Sequence, residues 1–113
     1  MKEIKAYIKP HMLSNVVTAL SNLEGLTGLS VTRVQGFGRS RAKNSRHRIV
    51  EDLFDYAPHV KLEIVCSDTF VDEIVSIIEK TARTGLSDDG KIFVSHIETA
   101  VRINTGERDE SAM

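Results

Sequence analysis

The sequence contains no tryptophan, and aromatic side chains make up 5% of its 113 residues. A platform of aromatic rings on which nucleic-acid bases could stack is therefore not expected. The net charge of −1 also argues against a general nucleic-acid-binding protein, although it is compatible with a local basic patch. The composition instead suits one domain, since 41% of the residues are hydrophobic and can fill a single core.

The chain has one cysteine, Cys66, which excludes an internal disulfide and a metal site framed by several cysteines. Cys66 ends an apolar run, so we interpret it as a small core residue rather than a reactive thiol. The amino terminus lacks the apolar segment of a signal peptide, and no apolar run approaches the roughly 18 residues of a membrane helix. We therefore expect a soluble, cytoplasmic protein.

The hydrophobic pattern predicts four strands and two helices in the order β-α-β-β-α-β. Strands are predicted over residues 2–9, 29–37, 60–66 and 91–96, and residues 99–103 form a short extended continuation. Helical spacing covers residues 13–23, ending near Gly25, and a second helix begins with Thr69 as N-cap and Asp72 as its capping-box partner. Gly85 is expected to cap that helix at its end. Residues 105–113 form a polar, flexible tail.

This order predicts a ferredoxin-like α+β fold in a single domain, with one antiparallel sheet and both helices on one of its faces. Isoleucine and valine occur on both faces of several strands. We therefore expect self-association to cover the sheet face that carries no helix.

The connection between the second and third strands, residues 39–57, is too long for a hairpin loop and is expected to be functional or disordered. Its first half is basic and its second half acidic. Large apolar residues within it weigh against a purely solvated loop, so we predict a surface that binds a protein partner. The residues expected to take part are Arg41, Lys43, Arg46, Arg48, Ile49, Leu53 and Phe54.

The stretch from Thr84 to Val94 combines a polar turn with a lysine at the start of an apolar strand. Backbone N–H groups freed by the turn, beside the Lys91 ammonium, are one way to hold a phosphate. The chemistry alone leaves a purely structural turn as the alternative, because Asp-Gly turns are common.

Several ordered segments resemble one known family. They are the opening Met-Lys-x-Ile with Ile-Lys-Pro at 8–10, the Val-Thr-Arg-Val-Gln-Gly-Phe-Gly-Arg run at 31–39, and the segments at 60–65, 82–85, 89–94 and 100–107. Together they resemble the PII signal-transduction proteins of the GlnB type over nearly the whole chain.

The resemblance implies a homotrimer that binds ATP or ADP in clefts between subunits and engages a transporter or an enzyme through a long T-loop, here residues 39–57. It leaves the role of magnesium open. The residues that match the family's nucleotide cleft, or are further candidates for it, are Ser30, Gly36, Gly38, Arg39, Thr84, Asp89, Gly90, Lys91 and Arg102. Charge on Lys91 and Arg102 and the close approach allowed by glycine suit a polyphosphate.

Three departures from the family concern its regulation. Ser40 replaces a glutamine that helps to hold magnesium and 2-oxoglutarate, and His59 replaces a lysine that binds the 2-oxoglutarate carboxylate. Asp52 stands where some members carry a uridylylated tyrosine. We therefore expect classical 2-oxoglutarate sensing and uridylylation to be lost.

Two further departures fall in the expected phosphate site. Asp88 replaces the first glycine of the family's Gly-Asp-Gly-Lys, and Asn104 replaces an arginine. A preference for ADP or AMP, or weak ATP binding, is expected from this divergent member.

Other functions are less favoured by the sequence. A metal-handling role linked to heavy-metal efflux stays open, since copper-tolerance proteins of the CutA type share the fold. The four histidines show no spacing typical of a zinc site within one chain. No catalytic constellation is recognisable, so we expect no dedicated enzyme. Nucleic-acid binding by the basic half of the T-loop is the least favoured alternative.

Overall fold

A computed structural model describes residues 1–36 and 57–113 of the chain. Most of the predicted T-loop lies outside these residues, as does the predicted nucleotide-binding residue Gly38. The T-loop residues concerned are Arg39, Arg41, Lys43, Arg46, Arg48, Ile49, Leu53 and Phe54. The predictions made for those nine residues therefore stay predictions.

Four strands form one antiparallel sheet in the order β2-β3-β1-β4. The strands are β1 (Lys2–Ile8), β2 (Ser30–Gly36), β3 (Ala57–Cys66) and β4 (Lys91–His96). This order, with the helix after β1 and the helix after β3, confirms the predicted ferredoxin-like α+β fold.

Both helices pack on one sheet face. Helix α1 (Leu13–Ser21) buries Val16 and Leu20, and helix α2 (Val71–Ala82) buries Ile74, Ile78 and Ala82. They meet the side chains that alternate inward along β1 and β3, namely Ile4, Ala6, Ile8, Val60, Leu62, Ile64 and Cys66. Cys66 is 2% exposed, which confirms its assignment to the core. Burial raises the pKa of its thiol.

The ends of α1 and α2 differ from the prediction. Helix α1 ends at Ser21, four residues before Gly25, because hydrogen-bonded turns follow it. Residues Asp68–Phe70 form a 3-10 turn, so α2 begins at Val71 and Thr69 is not its N-cap; the Thr69 hydroxyl lies 3.4 Å from the Ser67 hydroxyl. The C-cap of α2 is Arg83 in an extended conformation, and Gly85, with a φ of 91°, belongs to the next loop.

Strand β3 begins three residues earlier than predicted, at Ala57 rather than Val60. Residues 57–59 pair with β2, whereas pairing with β1 begins at Val60 opposite Ile8. Pro58 therefore lies where β3 has one neighbouring strand, a position that tolerates a proline without an N–H donor. Because proline is unusual within a strand, the sequence pattern places the start of β3 after Pro58, which is too late.

The segment after β4 turns back on itself. Val101 and Arg108 form an isolated antiparallel bridge, and Gly106, with a φ of 76°, donates its N–H to the Arg102 carbonyl at 2.7 Å. Residues Asp109–Ala112 then form a 3-10 turn. The extended continuation expected over residues 99–103 is thus reduced to one bridge. Flexibility of residues 105–113 stays a prediction.

Within the described part of the chain, no helix is both long and apolar enough to cross a membrane.

Candidate functional site

The loop between α2 and β4 is closed by the carboxylate of Asp89. One of its oxygens accepts hydrogen bonds from the backbone N–H groups of Thr84, at 2.8 Å, and Gly85, at 2.9 Å. Its other oxygen accepts a bond from the Thr84 hydroxyl. These bonds, led by that from the hydroxyl, lower the pKa of Asp89 well below its ordinary value. Asp89 is therefore ionised at neutral pH and fixes the loop from within.

Lys9 anchors this loop to the end of β1. Its side chain is 11% exposed, and its ammonium lies 2.8 Å from Asp88 Oδ1, 3.3 Å from Asp89 Oδ1 and 3.2 Å from Thr84 Oγ1. An ammonium has three N–H donors, so these three acceptors match its full capacity. The hydrogen bond with Asp88 is the leading cause that raises the pKa of Lys9 and lowers that of Asp88.

Gly90 allows the loop to lie directly against β1. It has a φ of 107°, and a Cβ atom built on it would lie 1.7 Å from the Tyr7 carbonyl oxygen. Only glycine tolerates both the conformation and the contact. The next residue, Lys91, is exposed and pairs with Tyr7 at the start of β4. The close contact between Gly90 and β1 therefore fixes the start of β4, and with it the position of Lys91.

His59 connects this loop to the end of β2. Its Nε2 atom lies 3.3 Å from the Asp88 carbonyl oxygen, and its Nδ1 atom lies 3.3 Å from the Ala57 carbonyl oxygen. A Cβ atom on Gly36 would lie 3.7 Å from that Nδ1 atom. The histidine therefore lies between Gly36, where β2 runs into the predicted T-loop, and the loop that precedes Lys91.

The seven predicted nucleotide-binding residues that the structure describes fall into two groups. Gly36, Thr84, Asp89, Gly90 and Lys91 lie at the end of the sheet formed by the last residues of β1 and β2 and the first residues of β3 and β4, which we call the Lys91 end. The fold of one chain thus brings these five together.

Ser30 and Arg102 lie apart from that group. Ser30 is the first residue of β2, about 20 Å of strand from Gly36. Arg102 follows β4 and lies near the opposite end, where its guanidinium donates a hydrogen bond to the Met113 carbonyl at 3.2 Å. One chain alone therefore does not place Arg102 beside Lys91.

Comparison with known proteins agrees with the sequence motifs. The sequence model of the family "Nitrogen regulatory protein P-II" matches residues 1–107. The chain belongs to the P-II family. Nitrogen regulatory proteins P-II of Haemophilus influenzae and Pasteurella multocida, and P-II 1 of Escherichia coli K12, are each 46% identical to it over 113 residues, which cover the whole of each protein. P-II proteins are nitrogen regulatory signal-transduction proteins, so this chain is a member of a regulatory family.

Lys9 belongs to this P-II site, although no sequence motif points to it. The first strand was predicted over residues 2–9, whereas the structure ends β1 at Ile8 and buries Lys9 under the loop. The sequence signal for this difference is Pro10, because a proline directly after Lys9 ends the strand.

A surface cavity of about 400 Å³ lies at the other end of this P-II fold and is distinct from the candidate site. It is lined by Glu24, Gly25, Thr27, Cys66, Ser67, Phe70, Glu110 and Met113, none of which is a predicted site residue. Residues 1–36 and 57–113 contain no group of three or more histidine, cysteine, aspartate or glutamate side chains placed to hold a metal ion. The metal-handling alternative stays a hypothesis from sequence.

Proposed function

We propose that this P-II protein is a trimeric regulator that binds an adenine nucleotide in clefts between its subunits. ATP or ADP is the expected regulatory ligand, with AMP as an alternative, and magnesium is left open. The bound nucleotide sets the conformation of residues 39–57, which engage a membrane transporter, an efflux pump or an enzyme. The class of ligand and the class of partner are those implied by the resemblance to the PII family.

The close packing at Gly90 is the single observation that carries the proposal. A glycine with a φ of 107°, whose Cβ would overlap the Tyr7 carbonyl, lets the loop backbone pack directly against β1 and fixes its position. Lys91 follows it directly and is exposed, and no described carboxylate forms an ion pair with its ammonium. A closed loop beside an exposed lysine suits the phosphates of a nucleotide.

The position of Arg102 supports a site between subunits rather than within one. Arg102 is near the opposite end of the sheet from Lys91, and its side chain is exposed. Several large apolar side chains on β4 and the segment after it are also exposed: Phe93, Val94, Val101 and Ile103, the last at 98%. Apolar residues concentrated there favour association of copies of the chain, which can bring Arg102 of one copy to Lys91 of another.

Gly36 and His59 supply the link from the cleft to the T-loop. Both lie where the described strands enter residues 37–56, and His59 contacts the Asp88 carbonyl. A ligand that shifts the loop before Lys91 therefore acts directly on the base of the T-loop. This contact gives the nucleotide a short path to the partner-binding residues.

Calorimetric titration of the purified protein with ATP, ADP and AMP, with and without magnesium, tests the proposal. We expect one nucleotide per subunit and loss of binding in Lys91→Ala. Lys2→Ala is the matched control, because Lys2 begins β1 and pairs with Cys66 and His96 at the opposite end of the sheet from Lys91. Absence of binding by all three nucleotides would refute the proposal, as would equal binding by the Lys91→Ala variant and the unaltered protein.

A further inference from the structure

Asp88 and Asp89 play different parts although they are adjacent. Asp89 is 21% exposed and is tied to the loop by the two backbone N–H groups and the hydroxyl described above. The carboxylate of Asp88 is 59% exposed, and among the described residues it contacts the side chain of Lys9. Removing Asp89 would therefore open the loop, whereas the Asp88 carboxylate, within the described part of the chain, contributes to the loop through its contact with Lys9 alone.

The ammonium of Lys9 is already saturated by its three acceptors. An anion that enters from solvent can reach it only by displacing one of them. Thr84 and Asp89 are hydrogen-bonded to each other, which holds both in place, whereas Asp88 is the more exposed of the two carboxylates, at 59% against 21%. Asp88 consequently occupies the position that an external anion would take.

We propose that Asp88 is a tethered anion that fills the anion position beside Lys9 and biases the nucleotide cleft toward ligands with fewer phosphates. The inference rests on the proposed nucleotide site, since it concerns which nucleotide that site accepts. Asp88 lies three residues before Lys91 in the same loop, so a polyphosphate bound by Lys91 would extend toward the Asp88 carboxylate. Two negative charges at close range repel each other, and the repulsion grows with the negative charge of the ligand.

The test compares the affinities of ATP, ADP and AMP for the unaltered protein and for Asp88→Asn. Asparagine keeps the shape of the side chain and the backbone carbonyl that faces His59, and removes the charge. We expect Asp88→Asn to raise the affinity for ATP by about tenfold or more, for ADP by less and for AMP least. Asp88→Glu keeps the negative charge and should keep the order of nucleotide affinities found for the unaltered protein.

Two control variants isolate the effect. Glu73→Gln removes one negative charge from an exposed position on α2 and should leave all three affinities within about twofold, because distant surface charges are screened. Lys91→Ala reports whether the nucleotide uses the proposed cleft at all. Thermal unfolding of each variant checks that the trimer is intact.

The outcomes separate this inference from the proposed function. If the unaltered protein binds nucleotide, Lys91→Ala does not, and Asp88→Asn leaves the ATP-to-AMP affinity ratio unchanged, the tethered-anion inference is wrong and the proposed function stands. An equal change for all three nucleotides overturns the inference in the same way. If neither the unaltered protein nor Asp88→Asn binds any of them, both fail together.

Discussion

Replacing Gly90 with alanine should destabilise the protein far more than the same replacement at Gly85. Both glycines have positive φ values, 107° and 91°, in the same loop. A Cβ atom at Gly85 would have no neighbour within 4 Å, whereas one at Gly90 would lie 1.7 Å from the Tyr7 carbonyl oxygen and 2.8 Å from its carbon. The pair therefore separates the cost of the backbone conformation from the cost of the contact.

The conformational cost, shared by both variants, is about 1–2 kcal/mol. At Gly90 the added methyl group meets backbone atoms of a central strand, which cannot rotate away, and forcing it in costs about a further 1–3 kcal/mol. We therefore expect the free energy of unfolding to fall by about 1–2 kcal/mol in Gly85→Ala and by about 2–5 kcal/mol in Gly90→Ala.

Urea unfolding at one fixed protein concentration measures both values, because the stability of an oligomer depends on concentration. Nucleotide titration of the folded variants adds a second readout, and Gly90→Ala should lose binding as the loop moves off β1. Equal unfolding free energies for the two variants, within about 0.5 kcal/mol, would refute the claim that β1 requires glycine at position 90.

Three further predictions concern the core and the loop. Ile78→Ala should lower the free energy of unfolding by about 2–5 kcal/mol, because Ile78 is fully buried in α2. Lys80→Ala on the exposed face of the helix should change it by less than about 0.5 kcal/mol. Similar values for the two variants would contradict the packing described. Asp89→Asn should speed hydrogen exchange at the amides of Thr84 and Gly85, measured by NMR, and unchanged protection there would show that the carboxylate does not close the loop. Because the folded-state pKa of Asp89 lies below its ordinary value of 3.8, protection of those amides should be constant above pH 3.8 and fall only as the pH drops through the folded-state value; loss of protection already between pH 5 and 7 would contradict this assignment.

Local patterns predict most of the fold, because the strands and helices bury faces with regular spacing. The alternation of Ile4, Ala6 and Ile8 and the helical stripe of Ile74 and Ile78 lead directly to the observed elements. The predicted first and last residues of several elements are wrong, because too few residues there carry the pattern to fix a boundary. Thr69, predicted as the N-cap of α2, lies inside the 3-10 turn Asp68–Phe70 that precedes the helix.

The candidate site is only partly visible in the sequence, since its contacts join residues far apart in the chain. Gly90 and Lys91 are recognisable as neighbours in a motif, but nothing local shows that the Gly90 Cβ position is filled by β1. The pairing of Lys9 with Asp88 spans 79 positions and depends on the loop folding over the end of β1. Ser30 and Arg102 were assigned to the same cleft by resemblance, and one folded chain does not bring them to Lys91.

Complementation in mixed trimers tests the central claim, a nucleotide site built by two subunits, most directly. Lys91→Ala and Arg102→Ala proteins are each expected to bind no nucleotide as pure trimers. When the two are unfolded together and refolded as an equal mixture, a site regains binding where an intact Lys91 of one subunit meets an intact Arg102 of its neighbour. Random assembly restores about one quarter of the sites.

Calorimetry with the nucleotide that the unaltered protein binds best counts those sites. A binding stoichiometry of about one quarter of the subunits is the result we predict, and a trimer of the unaltered protein treated in the same way should recover full binding. Absence of any restored site in the mixture, with the refolded control binding normally, would contradict a cleft shared between Lys91 and Arg102 of different subunits.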